Sequence, residues 1–587
     1  MKTNKLYRNA AVAMAFLAVG AMTTACSDWD DHYDSNGITG SASETIWENV
    51  KANANLSQFA ELIHKAGYDE VINTSQTYTV WAPLNGTFNY DSLKVLPVSN
   101  LKEYFAKNHV ARFNFPATGS INEFVTMLNK KMMAFVGSGT YTLNGVEVVT
   151  PNVASSNGVL HVTNGMLGYK ANLMESLDTL AYPIDSIARY FHKYDTKVLD
   201  EANSVKGPVV DGRLTYLDSV FIEHNQLVYL HNALLTREDS SYSMIVPTNT
   251  AWQKAYTEVK KLYHYAPFTY VKEVPANNLS KATDDENYDK SSRELDFDLL
   301  RDSITHYIIA KDLFYNNNVY HNKVLKSLQL GSSLQTDSLV STAGDIFYGD
   351  DAKSLFEGAT RIDKSNGSMW LTDSLRMRTW ISWNPIIKIQ GEYGPNKAYN
   401  NSSSDRFSLS KTEQNPDVSG TVSNGAYVSV SPASPRSNPE AIFYLPGVRS
   451  ASYAVYVCFV PANINKNTYV TDIQPNVVAV TMGYNDLSGK PKEQQLKANG
   501  ASTFQNDVSK IDTVYVGDFT FPICYYGTGQ STATQASYAP YIRVQSRATS
   551  KNNADRTLRI DYIMLVPKEL DTYLKEHPGY KYQHDLD

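Results

Sequence analysis

Cysteine is scarce, three in 587 residues, which excludes a disulfide-built scaffold. Positive charge is not in excess: the formal net charge is -7 and no lysine/arginine run stands out. Nucleic-acid binding is therefore excluded as a function class. Catalytic signatures are missing too, with no His-Glu-x-x-His, no Gly-x-Ser-x-Gly elbow and no Cys-x-x-Cys. The stretch GYNDLSGKP, Gly483 to Pro491, approaches a phosphate-binding loop. It has one residue too many, and Pro491 stands where the magnesium-binding hydroxyl belongs. A glycosidase-type carboxylate pair leaves no linear signature, because its separation is spatial. The expectation is a non-enzymatic chain with no cofactor and no metal site.

Hydrophobic residues make up 42% of the chain, so the bulk is globular, and its length calls for two to four domains. Tyrosine is abundant, 40 residues against 21 phenylalanines and 7 tryptophans. Such amphipathic rings suit faces that bind sugar or protein, and they also fill strand-rich cores. At the N-terminus, Lys2, Lys5 and Arg8 precede an uncharged run from Asn9 to Ala25, the pattern of a secretory signal peptide over 1–25. Gly20 and two threonines interrupt it, which disfavours a permanent membrane span. Cys26 follows directly in TTAC, which resembles the bacterial lipobox and implies acylation at Cys26 and an outer-membrane lipid anchor.

The tether over 26–43 carries Asp28, Asp30 and Asp31. It resembles the signal that sends lipoproteins of Bacteroidetes-type bacteria to the outer face of the outer membrane. A calcium loop is rejected there, because His32 takes the place of the first aspartate and no glutamate closes the loop. Asp-Ser/Thr-apolar triplets begin at Asp91, Asp178, Asp185, Asp218, Asp302, Asp337, Asp373 and Asp512. They resemble the O-glycosylation sequon of the same group. The remaining cysteines, Cys458 and Cys524, lie in apolar strand-like runs and either pair or act as small core residues.

The chain repeats itself. Residues 44–66 place Ile46, Val50, Leu56, Phe59, Leu62 and Ile63 at helical spacing, predicting two short amphipathic helices. YTVWAP is a strand ending at Pro83, which has no N–H for the ladder. Asn85 reads as a helix N-cap. A strand, an Asn157–Gly158 turn and a second strand close the unit. His161 alternates with Leu160 and Val162, so it faces the opposite way, as a structural hydrogen-bonding histidine. Thr79, Val80, Ala82, Pro83, Asn85 and Phe88, then Asn157, Gly158, Val159, His161 and Val162, closely resemble the two signature segments of the fasciclin domain. The resemblance implies an α+β domain over 44–176. A looser copy keeps Val246, Pro247, Asn249, Ala251 and Trp252, then Asn366 and Gly367 with Trp370 in place of the histidine. It implies a divergent second domain over 177–385 with insertions, one of them the polar stretch 272–295.

Beyond Pro385, alternating apolar runs separated by polar turns predict an all-β sandwich or jelly roll over 386–587. The closing strand LRIDYIMLVP is similar to that of galactose-binding-like sandwiches, a group rich in carbohydrate-binding modules. The expected architecture is thus two α+β fasciclin-like domains followed by an all-β sandwich. Candidate ligand residues are Tyr525, Tyr526, Tyr538 and Tyr541 for stacking, with Arg543 and Asn476 for hydroxyls. The expected function is an accessory surface lipoprotein of a glycan-uptake system, working beside a TonB-dependent transporter. The alternatives are an adhesin that binds host or matrix protein through its fasciclin domains, and a pure scaffold.

Overall fold

The computed structural model describes residues 43–582 apart from 266–296, 393–396, 469, 471 and 527–539. The signal segment, Cys26, the acidic tether, the 272–295 insertion and Tyr538 lie outside the described residues.

The first repeat opens with α1 (Ile46–Ala52) on a capping box, in which Thr45 and Glu48 satisfy each other's backbone N–H. In α2 (Ser57–Lys65) the spacing of Phe59, Leu62 and Ile63 puts all three on one buried stripe. Seven strands follow: β1 (Tyr78–Pro83), β2 (Val110–Arg112), β3 (Ser120–Thr126), β4 (Met132–Ser138), β5 (Thr140–Leu143), β6 (Val146–Ser155) and β7 (Gly158–Thr163). They form one sheet in the order β2-β1-β7-β6-β5-β4-β3. Only β1 and β7 pair in parallel, with Tyr78 opposite Gly158 and Pro83 opposite Thr163. Both faces of this pair are covered, so β1 is buried along its whole length and reads as an unbroken apolar run. Val80, Ala82, Leu160 and Val162 pack under the helices, while Trp81 enters a second core with Phe135 and Tyr141.

The second repeat begins with α3 (Asp185–His192). A ribbon follows, made of β8 (Asp195–Leu199), β9 (Val205–Val210), β10 (Arg213–Asp218) and β11 (Phe221–Asn225). Then come β12 (Tyr242–Pro247), α4 (Asn249–Lys260), α5 (Phe297–Ala310), β13 (Phe314–Asn316), β14 (Ser338–Val340), β15 (Ile346–Tyr348), β16 (Thr360–Lys364) and β17 (Gly367–Thr372). The central order β13-β12-β17-β16 repeats that of β2-β1-β7-β6. The parallel register repeats as well, with Tyr242 opposite Gly367 and Pro247 opposite Thr372.

The ribbon grips the first repeat. Asp218, buried at the end of β10, accepts from the Tyr68 hydroxyl at 2.9 Å and pairs with Lys102 at 2.8 Å. Lys131 of the first repeat is buried against Glu175 and Glu238, each at 2.7 Å.

The C-terminal unit is a sandwich of two sheets. Its strands are β18 (Ile387–Gln390), β19 (Lys397–Asn400), β20 (Ser402–Ser408), β21 (Ala426–Pro432), β22 (Glu440–Tyr444), β23 (Ser452–Phe459), β24 (Val477–Asn485), β25 (Pro491–Gln495), β26 (Phe504–Gln505), β27 (Asp512–Thr520), β28 (Tyr541–Ser546) and β29 (Leu558–Pro567). One sheet runs β20-β21-β29-β23-β27 with β18 on β29; the other runs β19-β22-β28-β24-β25 with β26 on β24. Alternate residues of both sheets, Val455, Val457, Ile563 and Leu565 facing Phe443, Val480, Ile542 and Val544, fill the space between them.

α6 (Lys568–Glu576) then straps the chain back onto the second repeat. Leu570 and Tyr582 enter that repeat's core, and the Tyr582 hydroxyl donates to the Trp380 carbonyl at 2.6 Å. Cys458 and Cys524 are free and fully buried, so they are core residues and not a disulfide. Burial pushes the Cys458 thiol up to about 12 and that of Cys524 up to about 11.

Candidate functional site

The signature residues of the two repeats hold the backbone together. Asn157 Oδ1 accepts from Ile46 N at 2.8 Å, and its amide donates to the carbonyls of Ile72 at 2.8 Å and Thr74 at 2.7 Å. Asn366 repeats this, accepting from Leu173 N at 2.9 Å and donating to Leu235 at 2.7 Å and Arg237 at 3.1 Å. Gly158 and Gly367 follow them because a Cβ there would sit 1.8 Å from the Tyr78 carbonyl oxygen and 1.9 Å from that of Tyr242.

Asn85 is indeed a cap, but of a helix earlier in the chain. Its Oδ1 accepts from Gln58 N of α2 at 3.0 Å, and its amide donates to Ala54 O and Ser57 Oγ. Asn249 does the same for α3, accepting from Ser186 N at 2.8 Å and donating to Asp185 Oδ2 at 2.8 Å. Pro83 and Pro247 end the two parallel strands, and the residue after each resumes pairing, Leu84 N to Thr163 O and Thr248 N to Thr372 O.

His161 faces away from Leu160 and Val162, stacked on Trp81 at 5.4 Å. Its Nδ1 accepts from Asn152 N at 3.2 Å, so Nε2 carries the proton donated to Phe115 O at 2.9 Å. Burial lowers its pKa to about 4, which keeps it neutral. Asn157, Asn366 and His161 are buried and fully engaged within the fold, whereas Asn249 borders an open hollow of about 590 Å³ with Asp185, Arg189 and Gln253.

The proposed ligand residues of the sandwich separate. Tyr525 does not sit at a loop edge: its ring is in the sandwich core, and its hydroxyl accepts from Asn485 N at 2.7 Å and donates to Asn485 Oδ1. Tyr526 lies at the junction with the second repeat, under the Arg449 guanidinium at 4.6 Å and edge-on to Tyr263. Asn476 is a buried strand-end latch, donating to Asp555 O and Thr557 O. These residues are occupied by packing, because a tyrosine beside an apolar strand gains more from burial than from a solvated edge.

Tyr541 and Arg543 do come together, on the outer face of the β19-β22-β28-β24-β25 sheet. Tyr541 is not free to stack. Its ring lies across Gly483, where a Cβ would meet ring carbon Cε1 at 2.0 Å, and its hydroxyl bonds Glu493. Arg543 binds the other oxygen of the same carboxylate at 2.7 Å, with both side chains about a quarter exposed (26% each). Next to them Gln545 donates to Glu440, which also accepts from Asn400 at 3.3 Å. The Tyr444 hydroxyl, buried nearby in the same apolar cluster as Tyr541, has no partner among the described residues. Burial and the Glu493 carboxylate push the Tyr541 phenol well up, so it stays a donor. Sequence reading missed Glu493, Gln545 and Glu440. The polar strand PKEQQ, without apolar alternation, was the signal for Glu493; Gln545 and Glu440 sit at the ends of apolar strands and gave none.

A groove of about 710 Å³ opens along the free edges of the two sheets, between the β24–β25 hairpin and the end of β27. Tyr484 forms its floor edge-on to Phe519 at 4.9 Å, with Leu487, Gln494, Asp486 and Asp518 around it. Among the described residues, no group of three or more His, Cys, Asp or Glu is placed to hold a metal ion.

Residues 54–169 match the family model of the fasciclin domain. The first repeat is a fasciclin domain. The capping box at Thr45 and the Ile46–Asn157 bond carry its packing a few residues upstream of the matched span. Among solved structures the chain is similar to a FAS1 domain pair from the insect cell adhesion molecule Fasciclin I. The identity is 14% over 56% of this chain and 99% of that one, with a TM-score of 0.19. It is also similar to the CBM22-1-GH10 modules of Clostridium thermocellum endo-1,4-beta-D-xylanase 10B, with 9% identity over 31% of this chain and 28% of that one and a TM-score of 0.19. No curated protein matches the chain.

Proposed function

We propose that this chain is a non-catalytic surface lipoprotein, anchored through Cys26 in the outer membrane and facing outward, that captures a glycan for a TonB-dependent uptake system. In this reading the second repeat is a divergent fasciclin domain, and the two together space and orient the sandwich. The observation that carries it is the row Tyr541–Glu493–Arg543 beside Gln545–Glu440 on one sheet face. Planar guanidinium, carboxylate and amide groups, fixed to one another and partly exposed, are pre-oriented to exchange hydrogen bonds with vicinal hydroxyls. The fasciclin signature residues support a spacer role, since Asn157, Asn366 and His161 are buried and spent on backbone hydrogen bonds.

The test is titration of the full chain with neutral oligosaccharides, comparing wild type with Arg543→Ala. Arg543 joins only a partly exposed pair, so the variant is expected to lose at least tenfold in affinity with a melting temperature within about 2 °C of wild type. Equal affinity would remove this face from the binding surface. Purification from native outer membranes tests the assembly: a co-purifying TonB-dependent transporter is expected, and recovery of the chain alone overturns the uptake role.

A further inference from the structure

Strand β25 has two sides, and the chain alternates between them. Glu493 points to the outer sheet face, where it holds Tyr541 and Arg543. The next residue, Gln494, lines the groove on the other side. The strand ends its sheet's order, so among the described residues no further strand separates the two surfaces. Face and groove therefore meet across one extended backbone, a width of about 5 Å, comparable to one pyranose ring.

The groove's chemistry narrows what it accepts. Tyr484 is half-buried and gives one ring at the floor. Gln494 and Leu487 are exposed on the rim. The two carboxylates are already balanced. Asp518 pairs with Lys568 at 2.7 Å, and Asp486 accepts from Ser488 N and Lys490 N with Lys492 at 3.9 Å. A groove of this composition attracts neither a cation nor an anion. It offers a ring, an amide and hydroxyl-accepting carboxylate edges, which is the recognition set of a neutral polyol.

We infer that the Tyr484–Gln494 groove and the Arg543–Glu493 face are two halves of one site for a neutral oligosaccharide that crosses the edge strand β25. This rests on the glycan reading above and adds to it a chain-length requirement, a second surface and the exclusion of charged sugars. Short oligomers reach only the face. Longer ones bend over β25 into the groove, where Tyr484 supplies the stacking platform that the face lacks.

The experiment is isothermal titration of the full-length chain with cello-, xylo-, manno- and malto-oligosaccharides of two to six units, with oligogalacturonate as the charged control. Wild type is expected to bind six units of the preferred series at least tenfold more tightly than two. Gln494→Ala and Tyr484→Leu are each expected to remove most of that gain and leave the two-unit affinity unchanged, while Arg543→Ala weakens every length. Gln494 is exposed, so its variant folds even if Tyr484→Leu does not. Length-independent affinity, or a length gain that survives Gln494→Ala, overturns the two-surface site while leaving glycan capture intact. Tighter binding of oligogalacturonate overturns the neutral-ligand assignment. Absence of binding to every series sinks this inference and the glycan reading together.

Discussion

Asn157 and Asn366 make the same three side-chain hydrogen bonds in two places in the chain, each accepting from a backbone N–H well upstream, Ile46 or Leu173, and donating to two carbonyls just ahead of its parallel strand β1 or β12. Each is nearly sealed from water, 4% and 2% exposed. Replacement by alanine strands one N–H and two C=O groups in the interior, at a cost on the order of 3 kcal/mol. Asn157→Ala and Asn366→Ala are each expected to lower the urea midpoint. Asn157→Asp is expected to be no better, because a carboxylate cannot donate to Ile72 and Thr74.

The glycines beside them are less forgiving. Gly158 and Gly367 adopt φ of 143° and 149°, and a Cβ at either would penetrate the facing strand's carbonyl. Gly158→Ala and Gly367→Ala are expected to accumulate little folded protein, read by circular dichroism and gel filtration. Gly86 provides the control. It has φ of 75° but nothing within 4 Å of a Cβ, so Gly86→Ala is expected to cost only about 1 kcal/mol, the strain of that backbone region.

These pairs also explain what was legible in the sequence. The repeat could be read because Pro83, Asn85, Asn157 and Gly158 each do a backbone job that few other residues can do, and Pro247, Asn249, Asn366 and Gly367 do it again. The helices of 44–66 and the sandwich strands were legible from periodicity, since burial on one face imposes it. The ligand residues were not. Whether a tyrosine in a strand-rich segment packs inward or outward depends on the sheet it joins, and Tyr525 and Tyr526 were claimed by the core and by the junction with the second repeat. The target of the Asn85 cap was hidden for a related reason: the helix it caps comes earlier in the chain and is brought beside it by packing of Phe59, Leu62 and Ile63 in one core with Val80 and Ala82 of β1.

Stability should depend on pH through buried carboxylates. Asp561 is fully buried in β29; burial raises it to about 7, with the neighbouring Glu392 carboxylate adding to the rise and a hydrogen bond from Ser423 N opposing it. Asp345 is raised to about 7 by burial and by Asp312, against Lys311. Both folded-state values lie above the unfolded one, so the folded protein holds protons that unfolding releases. Stability from these groups is greatest at low pH and is lost as pH rises through about 7. Asp561→Asn is expected to be more stable than wild type at pH 8, by on the order of 1–3 kcal/mol, with the difference closing below about pH 5. Denaturant titrations at the two pH values check it, and a pH-independent difference would contradict it.

The joint between the repeats rests on a buried charge. Lys131, on the turn into β4, has a side chain only 5% exposed, and it meets Glu238, itself 7% exposed, and Glu175, each at 2.7 Å. Tyr169 closes the site, its ring 5.2 Å from the ammonium and its hydroxyl on Glu175. Desolvating such a group makes the intact set close to neutral for stability, whereas removing one partner leaves the other's charge buried and uncompensated. Lys131→Met is therefore expected to cost on the order of 3–5 kcal/mol. Adding Glu238→Gln should recover much of that, because the stranded carboxylate disappears. Because Glu238 belongs to the second repeat while Lys131 belongs to the first, the loss falls on the docking of the two repeats. Calorimetry should show the first repeat melting as a separate, earlier transition in Lys131→Met, and a single transition in wild type. If Lys131→Met melts as one transition at an unchanged temperature, the ribbon contacts of Asp218 with Tyr68 and Lys102 hold the repeats together without it.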